Sequence, residues 1–213
     1  MKSYTILNFS SLILISFVFM NFQCDNCEDE LHDRSSFSTT LNTLQSQIEV
    51  GDTLIMSASF SSQIELEISK MTHDNSNQLI NYTLEIFKAV ENDVNAIQAR
   101  NDFDFIDMKS SVFVPESRTW EVNIENFCGN SLCELEFGFI PKKAGYYGLF
   151  LRTGIVGISN SCQFLTLMPT AIESNGNNNF DTFSEINVSR IRVDGVFFSN
   201  PKSEERLFFF KVK

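Results

Sequence analysis

From about residue 35 onward, apolar and polar side chains alternate in short runs bounded by Gly, Asn, Ser, Pro and Asp. Alternation with a period of two sends successive side chains to opposite faces, so each run predicts a strand with one dry face and one wet face. The runs are residues 46–50, 53–60, 63–68, 80–87, 97–106, 119–124, 134–140, 146–151 and 163–168. Within residues 80–87, Ile80, Tyr82, Leu84 and Ile86 share one side, and within 134–140 Leu135, Phe137 and Phe139 do the same. Helical periodicity is nearly absent. Short strands at this spacing predict an all-β fold, an antiparallel β-sandwich.

Residues 85–100 carry two patterns, because Ile86, Val90, Val94 and Ile97 would also line one face of a helix. Strand, turn, strand is the favoured reading, with a helical turn around Asn92. After residue 170 the texture changes. Residues 173–179 form a polar loop, 183–191 predict a short helix or an irregular cover, and 207–212 read as a last strand. That strand holds three successive Phe, an aggregation hazard if uncovered, so it is expected to return to the sheet. Two turn motifs mark strand starts: Val50-Gly51-Asp52-Thr53-Leu54, and Pro141-Lys142-Lys143-Ala144-Gly145-Tyr146-Tyr147. The second places a tyrosine so that its hydroxyl can fold back onto the connecting backbone. It resembles the tyrosine corner of immunoglobulin-like sandwiches and makes the predicted class immunoglobulin-like.

The N-terminus has a different character. Residues 6–20 carry no charge and follow Lys2, which in length and flank is a signal-peptide core and too short for the roughly 20 residues of a membrane span. The run ends just before Cys24, where a bacterial lipoprotein is cleaved and acylated. Cys24 is therefore the candidate lipidation residue, although Gln23 and Asn21 depart from the usual lipobox. Asp25-Asn26-Cys27-Glu28-Asp29-Glu30 follows as an acidic stretch, read either as a solvated tether or as a surface-export signal. The expected division is a lipoprotein-type signal peptide over 1–23, an acidic tether over 24–35 and a β-sandwich over 36–213.

Composition changes this picture in three ways. With 22 Phe against 4 Tyr and one Trp, and many Asn and Ser, the composition leans to strand formers plus turn formers, a bias that an AT-rich genome would also produce. The formal net charge of -11 repels phosphate backbones, which argues against a nucleic-acid partner. The five cysteines leave four for pairing once Cys24 is lipidated: Cys27, Cys128, Cys133 and Cys162. An exported chain meets an oxidising compartment, so one or two disulfides are expected, with three connectivities open for two bonds. Cys128 and Cys133 flank the turn-like Gly129-Asn130-Ser131-Leu132, and a local bridge there is easy. Either could equally reach Cys162 across the sheet. No Cys-x-x-Cys pair recurs at zinc-finger spacing, so no metal is expected.

Signatures of chemistry are sparse. The two histidines, His32 and His73, lie in polar segments, His32 in the tether and His73 in what reads as a connecting turn. No nucleophile elbow, phosphate-cradling Gly loop or zinc helix is present. Asp102, Asp104 and Asp107 alternate with Phe103 and Phe105, so a strand would put carboxylates on its wet face and rings inward. Such carboxylates could serve a glycosidase pair or calcium, but no Asp-x-Asp-x-Asn-Gly loop accompanies them. Trp120 and Tyr146 are the candidate aromatic platforms for a glycan. Because Trp120 alternates with Val122 and Ile124, it is expected in the core.

Read with the export signal, Val50-Gly51-Asp52-Thr53-Leu54, Phe103-Asp104-Phe105-Ile106 and residues 137–145 together resemble uncharacterised lipoproteins of Bacteroidota. The resemblance implies an anchor at the outer membrane or cell surface and carries no activity, cofactor or binding residue. Two expectations of function follow. The first is a non-catalytic binding or assembly module of the cell envelope, held to the membrane by its lipid and meeting an envelope protein or a glycan. The alternative is a carboxylate-based envelope hydrolase acting on glycans.

Overall fold

The computed structural model describes residues 31–42, 45–116, 120–157, 163–173 and 178–213. The expected signal peptide, most of the tether, Cys24, Cys27, Cys162 and the loop around residues 174–177 lie outside them. The chain divides into two compact units, Met1–Leu31 and His32–Lys213, and the second holds the fold described below.

Sixteen strands are present among the described residues: β1 (Leu31–Leu41), β2 (Gln47–Ile48), β3 (Leu54–Ser61), β4 (Gln63–Glu65), β5 (Thr72–Asp74), β6 (Leu79–Lys88), β7 (Ile97–Gln98), β8 (Phe103–Asp107), β9 (Ser111–Phe113), β10 (Glu121–Phe127), β11 (Leu132–Pro141), β12 (Gly145–Gly157), β13 (Gln163–Glu173), β14 (Ile191–Val193), β15 (Val196–Phe198) and β16 (Leu207–Val212). Short 3-10 turns at Arg100–Asp102, Phe180–Ile186 and Pro201–Ser203 are the helical elements among them. The main sheet runs in the order β8-β11-β3-β1-β13-β12-β6-β10-β9, with β16 on β12 and β2 on β16. The pairings that β3, β6, β10, β11 and β12 make with their neighbours are antiparallel, while β2 lies parallel to β16.

This sheet folds over on itself into an immunoglobulin-like sandwich. Leu54 and Met56 of β3 and Phe137 and Phe139 of β11 share one buried cluster with Leu84 and Ile86 of β6, Val122 of β10, Leu149 of β12 and Phe208 and Phe210 of β16. Ring contacts cross between the layers, Phe37 to Tyr82 at 5.4 Å and Phe103 to Tyr147 at 5.1 Å. Each such side chain contributes roughly 1.5–3 kcal/mol by leaving water, which is why the alternating positions dictate the fold.

At one corner the hydroxyl of Tyr147 lies 3.1 Å from the carbonyl of Lys143, four residues upstream, and 3.2 Å from Asp102 Oδ2. The tyrosine of the second turn motif thus folds back onto its own connection. Gly145 takes a φ of +157° there, and a Cβ at this position would displace the flexible end of the Lys88 side chain.

The last strand returns to the sheet as expected, and it is buried on both faces. Phe208 and Phe210 enter the main core. Phe209 points the other way, into a second cluster with Phe87, Phe150, Phe180, Phe183, Ile186, Ile191 and Val193. Residues 178–198 therefore cover the outer face of the β6-β12-β16 layer. Asn178 pins this cover by donating to the carbonyls of Pro201 (2.7 Å) and Glu204 (3.2 Å). Asn179 and Asn187 take left-handed φ values of 62° and 56° at the two ends of its 3-10 turn, a conformation asparagine tolerates better than most residues.

Several local expectations are corrected. β1 starts at Leu31, within the stretch assigned to the tether, because Ser35 and Thr39 occupy inward positions beside Phe37 and Leu41 and weaken the alternation. The run 97–106 splits into β7, a 3-10 turn and β8. His73 sits in β5 opposite Ile64, not in a connecting turn, and Asn75 beside it is fully buried. Residues 85–100, by contrast, form strand, turn, strand as expected, with Asn92 in the left-handed region at the turn.

Candidate functional site

The outer face of the β9-β10-β6 layer is half covered and half open. Odd-numbered residues of β6 point to it, and they pass from Leu79 and Asn81, both exposed, through half-buried Thr83 to buried Glu85 and Phe87. The hairpin β14–β15 and the turn before it supply the covered half. Strand register places the open half in three rows: Phe113, Asn123 and Thr83; Ser111, Glu125 and Asn81; and Phe127 with Leu79. Phe113, Phe127 and Leu79 are 58%, 62% and 48% exposed, high values for side chains standing on a packed sheet. The polar row between them is unspent: among the described residues Asn81, Ser111 and Glu125 make no side-chain hydrogen bond, and Thr83 lies 3.5 Å from Asn123 Oδ1.

At the boundary of the two halves stands a charge cluster. Glu85 is 0% exposed, and the Nε of Arg152 lies against its Oε1. Arg152 also reaches Asp194 Oδ2, at the tip of the β14–β15 hairpin, at 3.4 Å. Burial is the main reason the Glu85 carboxyl is pushed up to about 7. Arg152 works against that rise, while Asp194 and Glu121 add to it.

The sequence candidates fall elsewhere. Cys128 and Cys133 are joined in a disulfide across the Gly129–Leu132 turn, both fully buried. Asp102 accepts a 2.6 Å ion pair from Lys143 and lies beside the Tyr147 hydroxyl, whose pKa burial and this carboxylate raise. Asp104 is exposed and paired with Lys142 at 2.8 Å, while Asp107 accepts the backbone N–H of Val112. Phe103 is buried and Phe105 half-buried, so rings point inward and carboxylates outward along β8. No group of three or more metal-binding side chains occurs among the described residues.

Trp120 and Tyr146, the two aromatic candidates, are half-buried against the second cluster rather than presented to solvent. Trp120 precedes β10 and does not join Val122 and Ile124 in the main core. Tyr146 stacks edge-on to Phe183 at 6.2 Å, lies under Lys211 and donates to Glu185 Oε2 at 2.8 Å. The exposed rings of the open face are Phe113 and Phe127, which sequence reasoning missed. Phe127 could have been found by parity: it follows Glu121, Asn123 and Glu125 in the wet register of its own strand. A second opening, an open-mouthed cavity of about 520 Å³, lies within the cover between Phe180, Ser184, Asn187 and Asn200, with the Asp181–Lys202 ion pair at its rim.

No family model and no curated protein matches the chain. Among solved structures it is similar to the reeler domain of human F-spondin over 68% of this chain and 99% of that one, at 12% identity and a TM-score of 0.33. The second type II cohesin module from the adaptor ScaA scaffoldin of Acetivibrio cellulolyticus is similar over 62% and 87%, at 9% identity and a TM-score of 0.29. Values this low transfer no residue role and no partner.

Proposed function

We propose that this chain is a non-catalytic binding module of the bacterial cell envelope, exported and tethered to the outer membrane or cell surface by lipid on Cys24. The open half of the outer sheet face carries the reading. Burying Phe113, Phe127 and Leu79 would be favourable, and a monomer that leaves them on a rigid sheet while covering the neighbouring half presents a contact surface. The sandwich behind it supplies the preorganisation that a binding surface needs.

The hydrolytic alternative receives less support. The carboxylates of residues 102–107 are spent on lysines, on the corner tyrosine and on a backbone N–H. Glu85 has the raised pKa of a general acid, but it has no exposed surface through which to meet a substrate.

The test is in-cell crosslinking in the native host, comparing the parent with Cys24→Ala and with the double variant Phe113→Ser, Phe127→Ser. Crosslinked species that disappear in the double variant, with unchanged protein level, are the expected result. Identical crosslinks in parent and double variant would refute the assignment of this face. Fractionation of Cys24→Ala into the soluble envelope pool checks the tether.

A further inference from the structure

Resting on that reading, we infer that the open half of the outer face binds a neutral or amino-substituted polysaccharide, laid across β9, β10 and β6 with sugar rings on Phe113 and Phe127. From Asn123, which pairs with Phe113, to Phe127 is four residues along β10. At about 3.4 Å per residue the two rings stand roughly 14 Å apart along the strand, offset by one strand. Between them lies the row Ser111, Glu125 and Asn81, with an unspent hydroxyl, carboxylate and amide.

This arrangement discriminates between ligands. A partner helix presenting an apolar stripe to the two phenyl rings would also bury the polar row, and each buried polar group left without a partner costs about 1–3 kcal/mol. The sheet's hydrogen-bonding edges are not part of the face, so an added β-strand could not meet that need. A polysaccharide chain alternates in the same way as the face. The C–H sides of its rings pack on aromatic groups, while hydroxyls at the ring rims satisfy amides, hydroxyls and carboxylates at intervals. Phe113 and Phe127 are spaced for sugars several units apart, and Leu79 widens the apolar seat beside Phe127.

Charge narrows the class. Glu125 stands within the polar row, on the exposed face of β10. Among the described residues, Arg152 at the boundary of the face is engaged by Glu85 and Asp194. A uronate or sulfated chain would meet repulsion from Glu125. Neutral hexosyl chains meet none, and amino sugars would gain from Glu125.

The experiment is affinity electrophoresis of the full chain, purified in detergent, through gels containing mannan, xylan, mixed-linkage β-glucan, galactan, glycol chitosan, polygalacturonate or heparin. Retardation by at least one neutral or amino-substituted polymer is expected, and none by polygalacturonate or heparin. Phe113→Ala and Phe127→Ala should each weaken that retardation roughly tenfold, the loss expected when an exposed anchoring ring is truncated. Asn81→Ala, which removes an amide and no apolar surface, should weaken it too, with the thermal midpoint of all three variants unchanged. Retardation by no neutral or amino-substituted polymer, or equal retardation of parent and ring variants, overturns the inference. A protein crosslink lost in the double ring variant with no polysaccharide retardation would sink the glycan assignment and leave the binding-module reading standing.

Discussion

Glu85→Gln is expected to stabilise the protein, slightly at mildly acidic pH and fully at neutral and alkaline pH. The folded carboxyl sits at about 7 against an ordinary value of 4.5, because the 0%-exposed site disfavours its charge more than Arg152 compensates. The folded state therefore holds its proton more tightly than the unfolded chain. Below 4.5 both states are protonated and the residue is neutral in the balance. Between 4.5 and 7 the unfolded state ionises while the folded state does not, so stability falls as pH rises, and above 7 the loss is complete. A gap of 2.5 pH units corresponds to about 3 kcal/mol at 1.36 kcal/mol per unit.

Glutamine copies the shape of the protonated acid and cannot ionise. Urea unfolding of parent and variant at pH 5 and pH 8, fitted by linear extrapolation, measures the difference. At pH 5 the variant should gain about 1 kcal/mol or less, and at pH 8 about 3 kcal/mol. A loss of stability at pH 8 would refute the reasoning, because it would mean that the Arg152 ion pair outweighs desolvation, the regime in which removing one partner costs about 3–5 kcal/mol. Arg152→Gln should act in the opposite sense and destabilise increasingly with pH, since it removes the favourable charge beside Glu85.

Three further perturbations probe the scaffold. Tyr147→Phe removes the corner hydroxyl shared by Asp102 and Lys143 and should cost about 1–2 kcal/mol, whereas Tyr82→Phe should be neutral or stabilising by about 1 kcal/mol, because the buried Tyr82 hydroxyl has no partner among the described residues; thermal melts should fall for Tyr147→Phe and hold or rise for Tyr82→Phe. Gly148→Ala would place a Cβ 2.2 Å from the ring of buried Phe87, and the overpacking should cost about 1–3 kcal/mol or more in denaturant midpoint without changing the binding face. Opening the Cys128–Cys133 bridge, through Cys128→Ala with Cys133→Ala, frees a six-residue loop and should cost about 2 kcal/mol by loop-closure entropy, read as a lower melting temperature.

How far the sequence could be read depended on which force each segment answers to. β3, β6, β11, β12 and β16 bury one face, or both, in a large core, and strict alternation of Leu, Ile, Phe and Tyr recorded that demand directly. β1 and β9 are held by the strands beside them, and their inward positions include Ser35, Thr39 and a single Val112, so the pattern faded. The cover was legible only as a need: three consecutive Phe had to be hidden, but which residues would hide Phe209 was decided by tertiary packing of Phe180 and Phe183 against it at about 5 Å. The open face was harder still, because its signal is a violation. Phe127 and Leu79 are apolar residues in the wet register, opposite each other across two strands, and only the pairing of β10 with β6 brings them together. Glu85 violates the pattern in the opposite sense, a carboxylate in a register that is wet at Asn81 and dry by Phe87, because residues 191–198 close over that end of the sheet. Both departures follow from one cause, the cover ending partway along the outer face. Extending it would bury Phe113 and Phe127, and its end at Asp194 keeps them available.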